Sequence, residues 1–160
     1  MGAAGLVRRH LLDFAVVAAV IGGLLLLYAE TFDLYKIVTP EGVTSNARGS
    51  IQSVSDQHSW ALGVIGVVLA GAAVLARWTR QRLPAWAAVV LAVAALAIVL
   101  IGDLPDVTSS GLTTELESGD AQPQTGFWIE LVGALLALGG TIGLALLLSR
   151  EAVARRPRPR

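Results

Sequence analysis

Four ionisable residues stand where apolar runs of the chain meet polar connections: Glu30, His58, Asp103 and Glu130. Drawn together on one face, three carboxylates and an imidazole would make a ring of oxygens with one nitrogen donor. That is the chemistry of a hard-cation site or a proton relay. The simpler expectation is that all four lie at a membrane boundary and face headgroups and water. Asp13 also touches an apolar run, but nearly a membrane's thickness from Glu130, so those two cannot share a site. Residues 131–148 hold ten Leu, Ile or Val. At about −0.3 to −0.6 kcal/mol each, they outweigh the roughly +3 kcal/mol of one carboxylate. Glu130 is therefore expected to need neither burial nor a partner.

Other chemistry finds little material. The chain has no cysteine, which excludes disulfides, thiol redox chemistry and thiolate metal sites. His10 and His58 fall on opposite sides of the expected membrane, so no histidine pair can hold a metal. Glycine-rich phosphate loops, serine nucleophile elbows and HExxH motifs are missing. The carboxylates after Asp103 lack the spacing of a calcium loop. The arginines cluster beside apolar runs without interleaved aromatics, a pattern for lipid headgroups rather than nucleic acid. The reading is of no catalytic residue, no cofactor and no metal.

The elements that must position these residues are four uncharged apolar runs, at 14–29, 59–76, 83–102 and 131–149. Each is long enough, with its flanks, to approach the ~30 Å hydrocarbon core. Ten of the twelve basic residues lie before the first run, between the second and third, or after the fourth. Ten of the twelve acidic residues lie in or beside the other two connections. This sorting follows the positive-inside rule and predicts an all-α integral membrane four-helix bundle. Both termini are expected to be cytoplasmic, N-in and C-in, with two extracytoplasmic loops.

The expected helices cover about 11–29, 59–76, 83–102 and 127–149, giving a four-span domain over 1–149. Residues 150–160 read as a disordered arginine-rich cytoplasmic tail. That tail and the Arg77–Arg82 turn are expected to rest on the anionic inner leaflet. The basic start resembles a signal peptide, but the small residues of a cleavage site are poorly met around Leu27–Ala29. An uncleaved anchor is therefore expected. Trp60 and Phe127-Trp128 read as interfacial belts, and Pro84 suits the first turn of helix three. Asp103-Leu104-Pro105-Asp106 should end that helix. Alternation around Ile51 and Val54 is too weak to predict a sheet.

Small residues offer helix-packing faces at Gly66/Ala70, Ala88/Ala92 and Gly139/Gly143, with a notch at Gly22-Gly23. The plainer use is within one bundle, and the sharper one is a dimer face at Gly139/Gly143. The fourth-helix opening GFWIELVGALLALGG, at 126–140, resembles that of a family of four-helix membrane proteins of high-GC Gram-positive bacteria. Trp60, the proline-headed third helix and the acidic second loop support the same resemblance. It implies a fold and a location, the bacterial plasma membrane, and no site residues. The reading is thus a non-enzymatic multi-pass protein acting by partner binding or membrane assembly, with a membrane-protein partner or a homo-oligomer. The alternative is a small oligomeric transporter or ion channel that uses the outer carboxylates.

Overall fold

The computed structural model describes residues 3–38, 51–54, 59–108, 110–112 and 118–154. The described residues are mostly helical. Helix α1 spans Ala3–Ala29, α2 Ala61–Thr79 and α3 Arg82–Ala97. A π-helical segment, Ile98–Asp103, joins α3 to a short α4, Leu104–Val107. Helix α5 spans Thr125–Ala154. Four helical stretches are long and apolar enough to cross a membrane: Leu6–Ala29, Ala61–Thr79, Arg82–Val107 and Thr125–Glu151.

These four form a square bundle in which α1 lies against α2 and α5, and α3 against the same two. Residues of α1, the α2–α3 turn and the end of α5 meet at one end. There Arg77 holds the Asp13 carboxylate at 2.7 Å. Glu151 bridges Arg8 at 3.4 Å and Arg80 at 3.3 Å. The turn is short because Arg80 takes the left-handed conformation, φ 55°, and ends α2 at once. Pro84 falls in the first turn of α3, where its missing N–H leaves no intrahelical bond unmade.

Close backbone approach holds the helices together, as expected where lipid and core are equally apolar. A Cβ on Gly23 would fall on the Gly66 carbonyl oxygen, and one on Gly66 on the Gly23 carbonyl oxygen. Ala73, Ala76, Ala85, Ala88 and Ala92 continue this thin core toward the arginine end. Large apolar side chains point outward instead, including Phe14, Trp78, Leu83 and Ile101. An apolar periphery around a close-packed interior is compatible with helices that cross a membrane.

The opposite end departs from the all-α expectation. Strands β1 (Asp33–Val38), β2 (Ile51–Ser53), β3 (Ser110–Leu112) and β4 (Ser118–Pro123) form one antiparallel sheet of order β2-β1-β4-β3. Tyr35 pairs with Pro123 and Val38 with Asp120. The two connections, read separately in the sequence, are thus one structure. Strands β2 and β3 are too short to show themselves by alternation, and one of the two pairings of β1 comes from residues more than 80 positions away. Gln124 N–H donates to the Leu34 carbonyl at 2.9 Å, tying β1 to the start of α5.

Three further boundaries differ. The third span does not stop at Asp103 but continues through Pro105 to Val107. Helix α5 runs past 149 to Ala154, so the first part of the expected tail is helical; residues 155–160 lie outside the described residues. Phe127 is not an interfacial ring. It is buried among Leu34, Val54 and Val107 beneath the sheet, while its neighbour Trp128 remains exposed.

Candidate functional site at the sheet end

Three of the four predicted ring residues are brought into the interior. Glu30 is 2% exposed, and Asp103 and Glu130 are fully buried. The expectation that they face headgroups and water is therefore overturned, as is the expectation that Glu130 need not be buried. The sheet and the apolar cluster of Leu26, Leu34, Leu62, Val99, Val107 and Phe127 close over this end and exclude water from it. His58 lies outside the described residues.

Each carboxylate arrives by a different device. Glu30 follows the last residue of α1, where Phe32 N–H donates to the Ala29 carbonyl at 2.9 Å and turns the chain into β1. Its Oε1 accepts a hydrogen bond from Gly63 N–H at 2.9 Å. Gly63 is the third residue of α2, whose own N-cap, Trp60, makes no side-chain capping bond. Glu30 therefore caps a neighbouring helix, placing negative charge at the positive end of its dipole. Gly63 permits the approach: a Cβ there would stand 2.9 Å from Leu27 Cδ1 and 3.4 Å from Glu30 Cγ.

Asp103 is carried by the π-helical segment. The buried stripe of α3 runs Ala85, Ala88, Ala92 and Ala95, and its continuation falls on Val99, Asp103 and Val107. Leu104 N–H bonds to the Val99 carbonyl, one residue further back than in an α-helix. This wider turn precedes Pro105, which has no N–H to offer the Ile101 carbonyl. Steps of four stay on one face in such a turn, which carries Asp103 inward while Ile101 and Gly102 face out.

Glu130 stands one turn into α5, on the stripe that packs inward through Gly126, Gly133, Ala137 and Gly140. A Cβ on Gly126 would come within 2.6 Å of the Asp33 carbonyl oxygen, so β1 lies directly on this turn. Neither carboxylate oxygen of Glu130 has a hydrogen-bond partner, and Glu30 Oε2 has none. Asp103 and Glu30 both act electrostatically on Glu130. The described arginines gather at the other end of the bundle, and Lys36, the described base on the sheet, is exposed. A buried carboxylate whose two oxygens lack hydrogen bonds, as in Glu130, is costly unless a proton or a cation offsets its charge. Among the described residues no group of three such side chains could hold a metal ion.

The rim of the site is also titratable. Burial pushes the Tyr35 phenol above its usual range, and the Asp106 carboxylate pushes it the same way. Asp120 is exposed on β4, and Glu115 and Glu117 lie outside the described residues.

Of the predicted packing residues, Gly66 and Ala70 do meet α1 at Gly23. Gly139 does not join the bundle, since a Cβ there would meet nothing within 4 Å. Gly140, one residue on, makes the contact with Ala15 and Ala19. Gly63 and Gly140 are the residues the sequence reading missed. Nothing in the sequence marks Gly63, since Ser59 offers an ordinary cap there and only the structure makes Trp60 the N-cap. Comparison with protein families, with curated proteins and with solved structures returns no match.

Proposed function

We propose that this chain is a non-enzymatic multi-pass protein of the bacterial plasma membrane, both termini cytoplasmic, that binds a membrane-protein partner or assembles with itself. In this reading the Glu30, Asp103 and Glu130 cluster takes up protons from the outer side, and the sheet above it carries the response to the partner. The observation that carries it is Glu130, wholly buried with both carboxylate oxygens unpartnered. Such a group is a standing cost to the fold unless its protonation is used. Sorted charges and the family resemblance support the location and orientation.

Movement of ions through a single copy finds no support. Between the cluster and the arginine end the described core is Ala, Leu, Val and Gly, apart from Thr141. The Thr141 hydroxyl donates to the Ala137 carbonyl at 2.8 Å, a local bond within its own helix. A conduit would need polar groups along that length.

Infrared difference spectroscopy on the protein in lipid tests the proton site. Alkalinisation should remove the carbonyl band of a protonated carboxylic acid, and Glu130→Gln should abolish much of that change. Photocrosslinking from β1 in cells should change between neutral and alkaline medium in the wild type and not in Glu130→Gln. A band unaffected by Glu130→Gln, or crosslinks indifferent to pH, overturns the reading.

A further inference from the structure

Gly139 is left over by the bundle, and with Gly143 it lines a trough on the outward-facing side between α1 and α5. The trough encloses about 490 Å³ and is apolar along its length, with Phe14, Leu136 and Leu146 among its walls. Gly139 is its open floor, and a Cβ on Gly143 would stand 3.6 Å from Ala15 Cβ. Arg150 closes it at the arginine end. Neighbouring arginines are engaged: Arg8 and Arg82 donate to carbonyls of α5, and Arg77 and Arg80 pair with carboxylates. Arg150 is exposed and has no hydrogen bond or ion pair among the described residues.

We propose that this trough binds one anionic phospholipid of the leaflet at the arginine end. An acyl chain lies over Gly139 and Gly143, and the phosphate sits on the Arg150 guanidinium. Length supports this occupant. Residues 135 to 150 rise about 22 Å at ~1.5 Å each, the depth of one leaflet with its headgroups rather than of a whole membrane. Charge supports it too. A second copy docked side by side in the same orientation would set its own Arg150 and Arg9 at the same level, like charge against like. A phosphodiester brings the opposite charge and the planar oxygens that a guanidinium fork holds well. The proposal is independent of the carboxyl cluster at the other end.

The test uses the full chain in mixed micelles, with native mass spectrometry reading the lipid retained. Phosphatidylglycerol is compared with phosphatidylcholine of the same chains. Wild type should keep one phosphatidylglycerol per copy, at least several-fold over phosphatidylcholine. Arg150→Gln should lose that preference but still hold lipid, while Gly139→Leu should fill the trough and lower retention of both. Gly71→Leu, at an equally open glycine on α2, controls for any general effect of the added side chain. Equal retention of the two lipids by wild type overturns the proposal. So does a stable dimer that Gly139→Leu abolishes, which would assign the trough to a second copy.

Discussion

At the scale of single residues, the informative pair is Glu30 and Gly63, a carboxylate and an amide hydrogen bonded at 2.9 Å across two helices. Glu30→Ala should cost about 1–3 kcal/mol, the range for a buried hydrogen bond to a charged group and its orphaned donor. Gly63→Ala should cost less, because a Cβ there meets a leucine methyl that can shift. Gly63→Ala keeps the donating backbone N–H, so any coupling between the two comes from the 3.4 Å approach of the new Cβ to Glu30 Cγ, and a double-mutant cycle of unfolding in detergent reads it. Tyr35 gives a prediction in pH. Its folded-state value lies above the ordinary value of 10.0, so its neutral form is the one the fold favours. Its contribution is fully present below pH 10.0 and is lost as pH rises through the folded value. Tyr35→Phe should flatten the alkaline limb of a thermal-stability profile and leave the neutral region nearly unchanged.

At the scale of elements, the π-helical segment and the sheet decide where the carboxylates go. Pro105 ends the run of ordinary α-helical bonds, and the wider turn before it keeps Asp103 and Val107 on the buried face. Pro105→Ala restores an N–H and allows the third span to continue as a regular helix. The expected result is faster hydrogen exchange in β3 and β4, with the remainder of the bundle as protected as before. Unchanged exchange there would show that the sheet, not the proline, sets the turn. The sequence suggested a stop at this proline because Pro commonly ends a helix. It could not show that the buried face of Val107, beneath the sheet, rewards one more turn. The strands were hidden for a related reason: β2 and β3 have three residues each, too few for a period to appear.

At the scale of the whole molecule, the bundle is held by backbones in contact rather than by large interlocking side chains. Gly66→Ala should therefore destabilise by about 1–3 kcal/mol, the usual cost of overpacking, because the opposing atom is a backbone carbonyl that cannot swing away. Gly71→Ala, with open space around it, should be neutral or slightly stabilising through helix propensity. Thermal unfolding of the two variants in one detergent makes the comparison. The sequence by itself determined that four runs are apolar enough to cross a bilayer and that the arginines gather at one end. Both follow from composition along the chain, which a bilayer reads as length and charge. Only the tertiary structure decided that Glu30, Asp103 and Glu130 turn inward, and that Gly140 rather than Gly139 meets α1. In a membrane helix the face toward lipid is as apolar as the face toward the core, so hydrophobicity does not fix its rotation. A finer clue was present, since Glu130 shares its stripe with Gly126, Gly133 and Gly140. Small residues mark the packed face, but choosing among several such stripes requires knowing which helix lies opposite each.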